Sequence, residues 1–198
     1  MVTQPSAPVV VAATSLEARA VRRRAPRANV VEAGVSLARL NGTPLGAVAI
    51  SCGLAGGLRN DLPTGALVIP SVLATTAGDA TACDPEWTER LREAARRLGY
   101  AFVDAPLLSS TQLVTGGDRP FWAERGYAGV DMESAFIRAP AIAAVRVILD
   151  TPQRELSADW LHPARAMLRP RNWGQMVWLA REGPRCADRA ARVIAAAL

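Results

Sequence analysis

Seven short apolar runs constrain the fold of this chain more than any other feature of its sequence. Each run is rich in β-branched residues and bounded by Gly, Pro or Asp, as buried strands tend to be. The predicted strands cover Val9–Ala13, Asn29–Glu32, Gly46–Cys52, Ala66–Ser71, Ala101–Asp104, Ala128–Met132 and Ala144–Leu149. Helical patterns lie over Ser15–Arg24, Pro85–Leu98, Glu133–Arg138 and Pro184–Leu198. Strands that alternate with helices predict an α/β sandwich on a largely parallel or mixed sheet.

The composition is that of a folded chain, and we expect one domain over residues 1–198. Half of the 198 residues are hydrophobic and 21% are charged, which excludes a disordered chain. No run approaches the length of a transmembrane span, and no basic segment precedes the first apolar run as it would in a signal peptide. Three widely spaced cysteines, Cys52, Cys83 and Cys186, are expected to be free thiols. These features predict a cytoplasmic protein.

The charged residues argue against a nucleic-acid or metal-binding protein. All 23 basic residues are arginine, and the formal net charge of +5 favours anionic partners. The arginines are scattered apart from Arg22–Arg24 and Arg96–Arg97, and only 5% of residues are aromatic. A nucleic-acid surface needs clustered arginine with interleaved rings, so we expect no nucleic-acid partner. The single histidine, His162, leaves no His and Cys cluster for zinc.

Three acids stand where an apolar run stops, which is where ligands bind in α/β folds. They are Glu17, Glu133 and Asp150, and the glycine-containing run Gly53–Leu58 follows another apolar stretch. Each of the four has a purely structural interpretation as well. Glu17 fits a capping box with Thr14, Glu133 fits the first turn of a helix, and Asp150 fits a turn before Thr151. The glycine run is neither a GxGxxG nor a P-loop motif; its structural interpretation is a tight turn, although glycines would also let a planar ligand approach the backbone closely.

Taken together, four segments resemble the nucleoside phosphorylase and nucleosidase superfamily. This superfamily includes purine nucleoside phosphorylase and methylthioadenosine/S-adenosylhomocysteine nucleosidase. The segments occur in the family's order, over residues 9–18, 53–70, 129–135 and 145–150, of which Gly129–Ala135 is the most specific. The pattern is most similar to the hopanoid-associated phosphorylase branch, whose members are linked to release of adenine from adenosylhopane. The resemblance implies a three-layer α/β/α sandwich with a central mixed sheet.

The resemblance also implies cleavage of the N-glycosidic bond of a purine nucleoside without a metal or organic cofactor. Asp150 matches the acid that protonates or hydrogen-bonds purine N7, a role that burial of its carboxyl would favour. Glu17 matches the base that positions and deprotonates the attacking water in nucleosidases. Glu133 matches the carboxylate that holds the ribose hydroxyls, and Met132 packs on the sugar.

The same resemblance assigns residues to the base. The loop at Gly53, Ala55 and Gly56 would lie along the purine. Phe121, which follows Thr115-Gly116-Gly117-Asp118, is a looser match to a stacking wall.

Three departures from the family pattern bear on the nucleophile and on activity. Ser51 and Leu54 align with the positions that hold phosphate in phosphorylases, which favours water over phosphate as a co-substrate. Leu149 replaces the serine that usually precedes the aspartate. The chain is also short between Gly34 and Gly46, where the family usually has a further glycine loop. The alternative is therefore a catalytically weakened nucleoside-binding protein of the same fold.

The resemblance carries expectations about partners too. Members of the family are commonly dimers or hexamers, so we expect a homo-oligomer. A lipid-linked nucleoside would be met at the inner membrane, as a peripheral contact. The segment 168–179 interleaves arginines with Trp, Met and Leu and fits such a contact, with Trp173 and Trp178 suited to the interface. The same pattern fits a C-terminal helix whose Trp173, Val177 and Leu179 pack in the core.

Overall fold

The computed structural model describes residues 7–40, 44–161 and 166–198. The helices are α1 (Ser15–Arg24), α2 (Pro85–Arg97), α3 (Asp118–Ala123) and α4 (Trp173–Ala197). The strands are β1 (Val9–Ala12), β2 (Asn29–Glu32), β3 (Val48–Gly57), β4 (Leu67–Val68), β5 (Val72–Thr75), β6 (Ala80–Ala82), β7 (Phe102–Val103), β8 (Leu107–Ser109), β9 (Gly129–Asp131) and β10 (Ala141–Ile148). No helix of the described ranges is long and apolar enough to cross a membrane.

The long strand β3 connects the two parts of the sheet. Its first half pairs in parallel with β1, which in turn pairs with β2. Its far end pairs antiparallel with β9, where Gly56 faces Val130. On its other side β10 runs parallel from Ala141 to Ile148. The strand order is β6-β5-β8-β9-β3-β10-β4-β7. The pairs β5–β6 and β10–β4 are antiparallel, as is β3–β9, so the sheet is mixed, as predicted.

Buried side chains cover both faces of this sheet. In β1, Val10 points to the core under α1, α2 and α4, whereas Val9 and Val11 point to the opposite core, as the alternation of a strand requires. Helix α3 packs beyond β8 and β9, where Leu108 and Trp122 belong to a third small cluster. The predicted α/β fold, a mixed central sheet with flanking helices, is confirmed.

The two helices with strong capping signals lie where they were predicted. Helix α1 covers the predicted residues and begins with a complete capping box of Thr14 and Glu17. Helix α2 begins at Pro85, and its cap, Asp84, accepts a hydrogen bond from the backbone N–H of Trp87 at 2.8 Å.

The glycine run does not form the predicted tight turn, because β3 continues straight through it to Gly57. These glycines serve close packing instead. A Cβ at Gly57 would lie 3.0 Å from Ile148 Cγ2, and one at Gly129 would lie 3.0 Å from the carbonyl oxygen of Gly56. The absence of side chains therefore allows β3, β9 and β10 to approach one another.

The predictions for two other helices were wrong in extent. The predicted helix over Glu133–Arg138 is a single 3₁₀ turn, Ser134–Phe136, because the Asp131 carboxylate accepts from the backbone N–H of Ser134 and tightens the chain. Helix α4 begins at Trp173, well before Pro184, which lies inside the helix and not in its first turn.

Candidate active site

The carboxyl ends of β1, β3, β9 and β10 hold the acids that the sequence singled out. Glu17, Glu133 and Asp150 are all buried, although each carries a charge in its ionised form. Buried charges require partners. The partners are two buried arginines, Arg146 and Arg119, which divide the site into two clusters.

Glu17 both caps its helix and reaches the central strand. Its Oε2 accepts hydrogen bonds from the backbone N–H and the hydroxyl of Thr14, each at 2.8 Å. Its Oε1 accepts from the backbone N–H of Leu54 in β3, also at 2.8 Å. The structural interpretation of Glu17 as a cap is thus confirmed, and the second contact fixes its carboxylate against β3.

Arg146 on β10 is the centre of the first cluster, and sequence reasoning missed it. Its side chain is 1% exposed; Nε lies 2.8 Å from Asp131 and Nη2 lies 3.7 Å from Glu133. Nη2 also donates to Ser51 Oγ at 2.7 Å. Nη1 is buried and has no hydrogen-bond partner among the described residues.

Gly53 explains how Arg146 and Glu17 come close together. A Cβ at Gly53 would lie 2.3 Å from Glu17 Oε1 and 2.5 Å from Arg146 Nη1, so both atoms occupy the space that a side chain would need. The structure therefore places Gly53 beside Glu17 and Arg146. An arginine four residues before an acid at the end of a buried strand is the sequence signal that could have revealed Arg146, because an arginine inside a strand core needs buried carboxylates around it.

Glu133 lies between Arg146 and the segment that follows β2. Its Oε1 accepts from the backbone N–H of Ser36 at 3.0 Å, and Ser36 itself has a left-handed backbone conformation with φ of 53°. Burial raises the pKa of the Glu133 carboxyl above its ordinary value, and the charge of Arg146 opposes that shift. Met132, half-buried, precedes it and lines the neighbouring cavity.

The raised pKa of Glu133 predicts a pH-dependent stability. A carboxyl whose folded pKa exceeds its unfolded value contributes stability that is complete below the unfolded pKa, here 4.5, and is lost as pH rises through the folded pKa. The free energy of unfolding of the wild type minus that of Glu133→Gln should therefore decrease above pH 4.5. Urea unfolding at a series of pH values measures this difference. The control is the same substitution at an exposed position, Glu86→Gln on α2. A difference that is flat or rises with pH would contradict it.

Asp150 belongs to the second cluster, where it forms an ion pair with Arg119 of α3. Arg119 Nη2 donates to Asp150 Oδ2, and Nη1 donates to the carbonyl oxygen of Gly57 at 2.8 Å. Glu155 binds the same guanidinium, with its Oε1 2.7 Å from Arg119 Nε. Arg119 is buried and was missed by sequence reasoning, which selected Phe121 from the same segment.

Of the predicted base-binding residues, the structure brings only Gly56 to Asp150. A Cβ at Gly56 would lie 3.0 Å from Asp150 Oδ1. Ala55 points into the core on the other side of the strand. Phe121 is 47% exposed on α3, and Arg125 stacks 3.4 Å from its ring centroid. Phe121 is not among the described residues that line the cavity at Asp150.

A cavity of about 90 Å³ lies at Asp150 and Arg119, lined also by Gly56, Met132 and the segment 112–115. Small-molecule sites usually measure about 300–1,000 Å³, so a ligand can enter only if the side chains over this cavity move. A larger cavity, about 710 Å³, lies at the opposite ends of the strands, around Trp87, Arg27 and Leu198. We assign the chemistry to the smaller cavity because two buried carboxylates, Asp131 and Asp150, line it, whereas no buried carboxylate lines the larger cavity.

The two clusters are spaced along one strand. Gly53 marks the first and Gly56 the second, and three residues of β-strand span about 10 Å. Among the described residues, no three His, Cys, Asp or Glu side chains are grouped so as to hold a metal ion.

Comparison with known proteins gives structural neighbours only. No protein-family model matches the chain. No curated protein sequence matches it either. The S-adenosylhomocysteine nucleosidase of Streptococcus pyogenes, solved with 5-methylthiotubericidin, superposes with a TM-score of 0.73 at 14% identity over 96% of this chain and 94% of that one.

Two further nucleosidase structures are similar. The 5′-methylthioadenosine/S-adenosylhomocysteine nucleosidase of Neisseria meningitidis, solved with methylthio-immucillin-A, has a TM-score of 0.71 at 16% identity and 96% coverage of both chains. The futalosine hydrolase of Helicobacter pylori has a TM-score of 0.67 at 11% identity, again with 96% coverage of both. The chain thus has the fold of nucleosidases of the nucleoside phosphorylase superfamily, as the resemblance predicts. Identities this low establish the fold alone.

Proposed function

We propose that this protein hydrolyses the N-glycosidic bond of a purine nucleoside and releases the free base. One observation carries the proposal: on a nucleosidase fold, buried carboxylates occupy both ends of the site at β3, with a buried arginine beside each group. Cleavage of this bond develops positive charge on the ribose and negative charge on the base. The two clusters supply carboxylates for the sugar end and an arginine–carboxylate pair for the base end.

The sugar end suits water as the nucleophile. Glu17 Oε1 and Arg146 Nη1 both lie at the position that a Cβ of Gly53 would occupy, and Nη1 has no hydrogen-bond partner among the described residues. A water there would accept a hydrogen bond from Arg146 and give its proton to Glu17. Glu133 would hold the ribose hydroxyls, with Met132 against the ring. Phosphate is disfavoured because Glu17, Asp131 and Glu133 surround Arg146, and because Ser51 Oγ is already bonded to Arg146 and Ser134.

The test is release of base by the purified protein from adenosine and 5′-methylthioadenosine, with and without inorganic phosphate. We expect free adenine at the same rate in both, and no ribose 1-phosphate. Adenine release that requires phosphate would overturn hydrolysis. Binding of the nucleosides with no release of base would overturn the enzyme and support the alternative, a nucleoside-binding protein.

We further propose an adenine nucleoside with a lipid-linked 5′ substituent, as in hopanoid synthesis, met at a membrane surface. The support is an apolar patch made of Met167, Leu168, Trp173 and Val177, which are 50%, 82%, 56% and 68% exposed. The alternative that residues of this helix pack in the core is wrong for Trp173 and Val177, which are exposed, but right for Leu179. Trp178 is buried, so it is not available for an interface. The net charge of +5 adds attraction to anionic lipid.

Helix α4 connects the patch to the base end of the site. Gln175 lies on the opposite face of α4 from Trp173 and Val177, since helical residues are spaced by about 100°. It accepts a hydrogen bond from the backbone N–H of Ser157 and donates to the carbonyl oxygen of Glu155. Glu155 holds Arg119.

We expect the protein to sediment with anionic vesicles at low salt, and to bind less at high salt or to zwitterionic vesicles. The double variant Trp173→Ser and Leu168→Ser should sediment less than the wild type with the same anionic vesicles at low salt. Failure to sediment with anionic vesicles at low salt would contradict a membrane contact. A variant that changes the oligomeric state instead of sedimentation would assign the patch to an interface between copies of the expected homo-oligomer.

A further inference from the structure

Arg119 is an unusual residue to find at a base-binding position because its charge is fully buried and already paired. It stands in the second position of α3, 3% exposed, and its guanidinium lies between Asp150 and Glu155. A buried arginine held by two carboxylates and a carbonyl oxygen is fixed in place. It therefore presents the same hydrogen-bonding face to the cavity in every molecule.

The hydrogen-bonding positions that Arg119 and Asp150 leave unused face the cavity. Asp150 Oδ2 accepts from Arg119 and from the backbone N–H of Leu156 at 3.3 Å. No described residue donates to Oδ1, which faces Gly56 at the cavity. Arg119 Nη2 carries a second N–H beyond the one given to Asp150, and it lies 3.5 Å from the Cβ position of Gly56. The site thus offers one donor and one acceptor side by side over a glycine.

We propose that the Arg119–Asp150 pair, and not Asp150 alone, reads and stabilises the departing base, and that it selects 6-aminopurines. This inference rests on the proposed function. The outer edge of adenine carries an acceptor at N7 next to a donor at the 6-amino group, whereas a 6-oxopurine carries two acceptors there. Arg119 donates to N7 and Asp150 Oδ1 accepts from the 6-amino group. A 6-oxopurine would put its oxygen against the carboxylate.

The pair also changes the account of the leaving group. Arg119 places a fixed positive charge beside Asp150, at the position where negative charge develops on the base. In the reaction, the water oxygen bonds to C1′ and the water proton passes to Glu17. The C1′–N9 bond breaks with its electron pair on the base. The guanidinium of Arg119 stabilises that negative charge at N7 until the base takes a proton from solvent.

The test compares adenosine with inosine in the wild type, Arg119→Met, Arg119→Lys and Asp150→Asn, with Arg185→Met on the exposed face of α4 as control. Wild type and control should prefer adenosine by about 10²-fold, since paired contacts to a base edge discriminate at that level. Arg119→Met should lower kcat on adenosine by about 10²–10³, as loss of one donor to a developing negative charge does. Arg119→Lys keeps the charge but lacks the planar guanidinium, so its kcat on adenosine should lie between those of the wild type and Arg119→Met.

Asp150→Asn tests the preference for adenosine over inosine, which would not change if Asp150 had only a structural role. Its amide can donate to a 6-oxo group, so the preference for adenosine over inosine should shrink by about tenfold to a hundredfold. Equal loss on both nucleosides, or wild-type kcat in Arg119→Met, would overturn the inference; if Arg119→Met does not fold, Arg119→Lys decides. Equal cleavage of adenosine and inosine by the wild type would also overturn it. Failure of the wild type to release base from either nucleoside would instead overturn the proposed function.

Discussion

Glu17→Gln should lower kcat for adenine release by about 10²–10⁴ while nucleoside binding is retained, because the variant keeps the shape of the side chain and removes the proton acceptor. The structure makes this substitution informative. Both oxygens of Glu17 accept from Thr14 and Leu54, so the amide group must face at least one N–H or O–H donor. We therefore expect a loss of about 1–3 kcal/mol in the free energy of unfolding as well.

The control for that stability loss is a cap on another helix. Asp84→Ala removes the cap of α2, which lies at the other ends of the strands, and should cost about 1 kcal/mol. If the capping role were the whole role of Glu17, the two variants would lose activity in proportion to stability. A small loss of rate in Glu17→Gln that matches the loss in Asp84→Ala would therefore contradict a catalytic Glu17.

Asp150→Asn should lower kcat/KM for adenosine by about 10² or more, because it removes the acceptor for the base and the charge that orients Arg119. Breaking a buried ion pair from one side costs about 3–5 kcal/mol in general. Glu155 and the carbonyl of Gly57 still hold Arg119, which should keep the loss at the lower end of this range. Steady-state kinetics and urea unfolding on the same preparation measure both effects.

A second variant separates folding from chemistry at this position. Arg119→Met combined with Asp150→Asn removes both buried charges and should be more stable than Asp150→Asn alone. It should remain as inactive as the single variant. Recovery of wild-type turnover in the double variant would mean that Asp150 serves only to neutralise Arg119, and would contradict its place in the site.

The fold was predictable from the sequence where the pattern was long or the capping signals were strong. Helices α1 and α2 follow from Thr14–Glu17 and from Asp84–Pro85. Strands β1, β2 and most of β10 follow from runs rich in β-branched residues, although β10 begins at Ala141, before its predicted start at Ala144. Strands β5, β6 and β8 have only three or four residues each, too few for a period to be seen. The course of β3 was missed because its glycines suggested a turn.

The candidate site was predictable only in its acids. Strand ends and the family resemblance singled out Glu17, Glu133 and Asp150, because an acid that follows an apolar run can be recognised in the sequence. Arg146 and Arg119 were missed because their partners, Asp131 and Asp150, lie on other elements of the fold; only the position of Arg146 inside an apolar run was a signal in the sequence. Buried charge pairing depends on the packed structure, so the electrostatic half of the site could not be read from the sequence.

The most direct measurement is a crystal structure of Glu17→Gln with 5′-methylthioadenosine, in which slow turnover preserves the substrate. The account predicts the base over Gly56, its N7 edge toward Arg119 and Asp150, and the ribose hydroxyls at Glu133. The cavity of about 90 Å³ should open by movement of the segment 112–115. A nucleoside bound instead in the larger cavity near Trp87, or with its sugar away from Glu133, would contradict the account.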